Sequence, residues 1–150
     1  MYFALIVTLI AAITDFKTGI IPNKLMVPSI AVALLFRIVM GPLDLWFYLI
    51  GIFPAVVLFM GALLTSGKGV GGGDIKLMFL IGILLGGFKS LSVFVITLIL
   101  AILACLITSV IQKKLIRSLR LGPYFLAGLI VTIIFNQFFF SMIERMTLLN

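Results

Sequence analysis

The sequence holds four acidic residues, no histidine and one cysteine in 150 residues, so any hydrolytic chemistry has to be carried by carboxylates. Without histidine, the commonest general base is missing, and with it the Ser-His and Cys-His nucleophilic pairs. Cys105 lies in an apolar run, where a thiol behaves as a small hydrophobe. A lone cysteine makes neither an internal disulfide nor a cysteine-based zinc site. Among the acids, Asp44 and Glu144 fall at the ends of apolar segments beside Pro42 and Arg145, where a solvated or headgroup-paired carboxylate costs little. Asp15 and Asp74 sit differently, at the junction of an apolar segment and a polar loop. Acids at membrane depth are costly and are default functional candidates.

The apolar run before Asp15 covers about 14 residues, roughly 21 Å of helix, against a hydrocarbon core of about 30 Å. The helix must therefore continue past the acid. Gly19 and Pro22 then stop it about one turn later, leaving Asp15 just inside the boundary. A simpler reading has Asp15 merely ending the span, paired with Lys17 or reaching for water. Asp74 follows Gly67-Lys68-Gly69-Val70-Gly71-Gly72-Gly73 and opens the next apolar segment. Glycines there permit positive φ and close backbone approach, and Asp is a favoured helix N-cap. The simpler reading is a flexible loop with a capping Asp. Phosphate binding is disfavoured, because no Gly-Lys-Ser/Thr follows and an acid at the helix start repels an anion. As a pair, the two acids fall on one side of the membrane, where two carboxylates can share a proton, one as general base and one as general acid. That is aspartic protease chemistry.

The elements that must position these acids are helices in lipid. A hydrophobic fraction of 64% and a mean hydropathy of +1.43 leave too little polarity for a solvated surface. Six apolar segments of near-spanning length are expected at 2–18, 25–40, 45–65, 74–88, 91–111 and 121–143, giving an all-α, polytopic membrane protein with a single integral domain over 1–150. The first segment lacks a basic n-region and a cleavage site, so it reads as a span and not as a removable signal. Gly19 with Pro22-Asn23, Gly41-Pro42, Gly86-Gly87 and Gly122-Pro123 mark tight turns. Gly51, Gly61 and Gly82 are expected to mark close helix contacts, while the Met, Phe and Leu residues face lipid or neighbouring helices.

The net charge of +7 does not form the basic stripe with interleaved aromatics of a nucleic-acid binder. It lies at span ends, which points to anionic lipid headgroups. Lys17, Lys24, Lys68, Lys76, Lys113, Lys114, Arg117 and Arg120 fall on one side, and Arg37, Lys89 and Arg145 on the other. The positive-inside rule makes the first side cytoplasmic and puts both chain ends outside.

Three stretches resemble the type IV prepilin peptidases and preflagellin peptidases, the GxGD class of membrane aspartic proteases. Asp15-Phe-Lys-Thr-Gly-Ile-Ile-Pro22-Asn23 is similar to the family's first motif, an Asp at a helix end followed by a basic loop and Ile-Pro-Asn. Gly71-Gly-Gly73-Asp74-Ile-Lys76 resembles its Gly-x-Gly-Asp-x-Lys motif. Gly122-Pro123-Tyr-Phe-Leu-Ala-Gly128 is similar to its last and least specific stretch, a Gly-Pro turn into the final helix.

The resemblance implies an endopeptidase of the cell membrane that removes the short basic leader of a prepilin-like precursor at the cytoplasmic boundary, in pilus biogenesis. Asp15 and Asp74 are then the catalytic pair, and no metal or cofactor is expected. Gly71 and Gly73 would admit a substrate backbone, and Lys76, Pro22 and Asn23 would shape the site. The zinc-binding and methyltransferase portion of many bacterial members has no counterpart, so the chain resembles the short form of Tad/Flp and archaeal systems. Asp15 near a helix C-terminus and Asp74 near an N-terminus predict Asp74 as the member that more readily carries charge. Two other classes compete: a small proton- or cation-coupled transporter using intramembrane carboxylates, and a non-catalytic membrane scaffold.

Overall fold

A computed structural model describes residues 2–40, 45–65, 70–112 and 121–147. Asp44, Lys68, Lys113, Lys114, Arg117 and Arg120 lie outside the described residues, as do the side chains of Glu144 and Arg145. Among the described residues there are six α-helices and no strand: α1 (Tyr2–Thr18), α2 (Asn23–Met40), α3 (Leu45–Leu64), α4 (Gly72–Leu85), α5 (Gly87–Gln112) and α6 (Gly122–Thr147). The all-α expectation holds, and each helix corresponds to one expected apolar segment.

The boundary between α4 and α5 falls earlier than expected. The chain reverses at Gly86 and Gly87, whose φ angles of 60° and 42° are open to glycine without steric cost. Gly86 N–H still closes α4 onto the Gly82 carbonyl at 2.9 Å. The polar residues after Gly87 are helical, and among them Ser90 is buried, its hydroxyl donating to the Gly51 carbonyl at 2.6 Å.

The short α4 is the centre of the body, packed by α1, α2, α3 and α5. Leu77, Met78, Leu80, Ile81 and Ile83 are all buried, as expected for a helix apolar on every face. Its closest neighbour is α3, and the approach is set by glycine. A Cβ on Gly51 would lie 2.6 Å from the Gly82 carbonyl oxygen, and one on Gly82 would strike the Gly51 carbonyl. Small residues let helix backbones approach in this way. The same expectation fails at Gly61, where a Cβ would meet nothing within 4 Å. At its C-terminus α4 is held by Arg37 of α2, whose Nε and Nη2 donate to the carbonyls of Ile83 and Leu84 at 3.0 and 2.7 Å. A cation at the last carbonyls satisfies acceptors that the helix leaves open.

The outside of the body is apolar. Leu35, Ile38, Trp46, Leu49, Phe53, Leu63, Ile99, Ile102 and Phe135 are all exposed, a surface that is stable against lipid and costly against water. Among the described residues two helices are long and apolar enough to cross a membrane, over Trp46–Leu64 and Gly87–Ile111.

Candidate active site

Asp15 lies in the last full turn of α1, on the stripe formed with Ala4, Thr8, Ala11 and Ala12, all buried. The three- and four-residue steps keep these side chains on one face. Asp15 is therefore turned inward and is only 5% exposed. Lys17, two residues on, projects from a different face and is exposed, so the simple pairing of the two is not what the helix provides. Gly19, with φ 71°, ends the helix by donating its N–H to the Asp15 carbonyl at 2.8 Å. The chain then turns through Ile20, Ile21 and Pro22. The Pro22 carbonyl accepts from Leu25 and Met26 at 3.0 and 3.2 Å and so opens α2.

Asp74 is not the N-cap of its helix. The helix starts two residues earlier, at Gly72, with Gly71 in the capping position. Asp74 occupies the first turn, its N–H donating to the Gly71 carbonyl at 3.1 Å, and it is 8% exposed. A capping Asp at a loop edge would stay solvated, whereas this one is buried. The glycines before it make room for the protein's own groups. A Cβ on Gly73 would lie 2.7 Å from Ile21 Cβ, and one on Gly71 would lie 3.0 Å from Asp74 Oδ2, while a Cβ on Gly72 would meet nothing within 4 Å.

Two contacts bring the sequence-distant stretches together. Gly73 receives Ile21, so the start of α4 packs against the loop that leaves α1. Lys76 donates from Nζ to Asn23 Oδ1 at 2.6 Å, which ties the N-terminal part of α4 to the first residue of α2. Through them the Asp15 and Asp74 carboxyl groups come close enough to interact electrostatically. All the residues expected at the site, Asp15, Pro22, Asn23, Gly71, Gly73, Asp74 and Lys76, therefore belong to one corner of the fold. Among the described residues no three of His, Cys, Asp and Glu cluster as a metal site would require.

One participant was not expected. Gly122 N–H, the first of α6, donates to Asp15 Oδ2 at 3.0 Å in a buried contact. The sequence signal for it was only the Gly-Pro turn into the last helix. With it the helix-end argument no longer separates the two acids, because Asp15 meets the N-terminus of α6 as Asp74 meets that of α4.

Two buried carboxyls whose charges act on each other are groups that can exchange protons. Comparison with known proteins points to a peptidase. A model of the type IV leader peptidase family matches residues 2–111. The Prepilin leader peptidase/N-methyltransferase of Bacillus subtilis (strain 168) is 32% identical over 152 residues, which cover 93% of this chain and 57% of that protein. The chain thus spans a little over half the length of the relative it matches. No solved structure gives a significant match. Since the matched region contains both acids, their glycine and proline turns and all the helices up to α5, the chain belongs to the type IV leader peptidase family.

Proposed function

We propose that this chain is a membrane-embedded aspartic endopeptidase that removes the short leader of a prepilin-like precursor at the cytoplasmic boundary of the cell membrane, with Asp15 and Asp74 as its catalytic pair. One observation carries the reading: two carboxyls distant in sequence are buried together at one end of a body whose exterior is apolar. Burying acids without a purpose is costly, and a pair whose charges act on each other more so. In the reaction one carboxylate takes a proton from water as the water oxygen adds to the scissile carbonyl carbon. The other, protonated, gives its proton to the carbonyl oxygen. Collapse of the resulting gem-diol breaks the C–N bond, and the leaving nitrogen takes up a proton. One water is consumed and two peptides are released. The methyl transfer in the name of the Bacillus subtilis relative is not part of the proposal.

The proposed topology has six spans with both ends outside. Lys17, Lys24 and Lys76 lie at the end of the body that holds the acids, with Lys17 and Lys24 exposed toward headgroup depth. Arg37 and Lys89 lie at the opposite end, about the C-terminus of α4. This distribution supports a cytoplasmic site and anionic lipid headgroups as neighbours.

The test is direct. Purified protein is incubated with a prepilin-like precursor and the new N-terminus of the product is sequenced. Asp15→Asn and Asp74→Asn should each lower the rate by about a thousandfold or more, as loss of one member of a catalytic unit does, while leaving the fold intact. Retained cleavage in either variant would sink the dyad, and absence of cleavage by the unaltered protein would reopen the cation-transport reading.

A further inference from the structure

We infer that Gly122 is a positioning residue for the catalytic pair: its backbone N–H, at the start of α6, fixes the orientation of the Asp15 carboxyl group. The inference rests on the peptidase reading and adds to it a helix whose first turn lies beyond the residues 2–111 matched by the family model.

Three observations carry it. The Gly122 N–H reaches Asp15 Oδ2 at 3.0 Å in a buried setting, where a hydrogen bond to a carboxyl oxygen is strong and not replaced by water. The next residue is Pro123, which has no N–H, so Gly122 supplies the donor at this point of the helix end. Finally, there is no space for a side chain. A Cβ on Gly122 would stand 2.7 Å from Asp15 Oδ2, 2.8 Å from its Cβ and 3.1 Å from its Cγ. Gly122 is not among the described glycines with positive φ, so its backbone would accept alanine. The demand for glycine comes from the contact with Asp15.

The chemical consequence follows from the direction of the bond. An amide N–H only donates, so Oδ2 is committed as an acceptor. The bond makes Oδ2 the poorer site for a proton, so a proton that Asp15 holds or receives during the reaction is favoured on Oδ1. The helix end thereby selects which oxygen of Asp15 exchanges protons with water or with Asp74. It also ties α6 to the reaction, although α6 itself brings no acid to the site among its described side chains.

The experiment replaces the amide at this position. Incorporation of glycolic acid at position 122 turns the Leu121–Gly122 amide into an ester, removing the N–H while adding no side chain. The expected result is a fall in kcat of about tenfold or more, the scale of a lost hydrogen bond to a charged group, with KM for the precursor within about twofold. A folded ester variant with unchanged kcat overturns the inference. Thermal unfolding adds a reading independent of turnover: Gly122→Ala should lower the unfolding temperature in the unaltered protein but much less in an Asp15→Gly background, which removes the Cβ and both carboxyl oxygens that the added methyl would meet. Equal shifts in both backgrounds also overturn it. If the unaltered protein does not cleave the precursor, the peptidase reading itself fails, and if Asp15→Asn and Asp74→Asn retain cleavage, the dyad fails. If they abolish cleavage and the ester variant does not alter kcat, only the role of Gly122 fails.

Discussion

Replacing Gly73 by alanine places a methyl group 2.7 Å from Cβ of Ile21, 3.2 Å from its Cγ1 and 3.4 Å from its Cδ1. Carbon atoms settle at about 3.5–4.0 Å, so the first turn of α4 and the loop after α1 must separate by roughly 1 Å. Ile21 has little freedom to retreat. It is buried, and it lies between the left-handed turn at Gly19 and Pro22, whose carbonyl opens α2. Overpacking of this kind costs about 1–3 kcal/mol. The separation acts along the line that joins the segments bearing Asp15 and Asp74, and a displacement of about 1 Å in a catalytic arrangement can cost on the order of a hundredfold in rate. Gly72→Ala is the matched control, because its Cβ would meet nothing within 4 Å. At that position alanine should be neutral, or stabilising by up to about 1 kcal/mol through its better helix propensity. Both variants are assayed for precursor cleavage and for thermal unfolding in the same detergent. If the glycine-rich run serves only as a flexible loop, the two substitutions have equal effects, and that result would refute the packing argument.

Three further outcomes follow from single contacts. Lys76→Met removes the bond to Asn23 at the exposed rim, so stability should fall by less than about 1 kcal/mol while cleavage slows several-fold. Asn23→Ala should do the same, and the double variant should be no worse than either, as measured by initial rates. Arg37→Met strips two donors from the α4 carbonyls and should destabilise by about 1.5–3 kcal/mol in unfolding assays, with KM for the precursor nearly unchanged because the damage is at the far end of α4. Thr8 is fully buried, and its Oγ1 is without a hydrogen-bond partner among the described residues. Thr8→Val, of similar shape, should therefore raise stability by about 1 kcal/mol, and a loss instead would show that the hydroxyl is satisfied.

The energetics of the site explain why it needs so many small residues. Three glycines at the site stand where a Cβ would meet a neighbouring group at 3.0 Å or less. Gly73 admits Ile21, Gly71 leaves room for Asp74 Oδ2, and Gly122 leaves room for Asp15. Gly51 and Gly82 serve α4 farther along its length, where α3 lies against it. Glycines that share a type in the sequence thus differ in what they make possible, and Gly61 and Gly72 make no close contact possible at all.

The helices themselves were determined by the sequence alone. Apolar runs of spanning length, interrupted by Gly and Pro turns, allow little other than helix where lipid forbids unpaired backbone groups, and two buried acids stand out against that background because charge in lipid is expensive. The sequence could not say which face of each helix turns inward. In a soluble protein the apolar stripe marks the inner face, but here lipid and protein interior are equally apolar, so the pattern around Asp15 does not distinguish a lipid-facing acid from an enclosed one. Only the packing of α1 against α6 and α4 decides that Ala4, Thr8, Ala11 and Asp15 form the inner face. For the same reason the residue type at Gly61 suggests a contact that the helix does not make, and nothing in the sequence around Gly122 marks its bond to Asp15. A missing side chain has meaning only in relation to the group that fills its place, and that group belongs to a different helix.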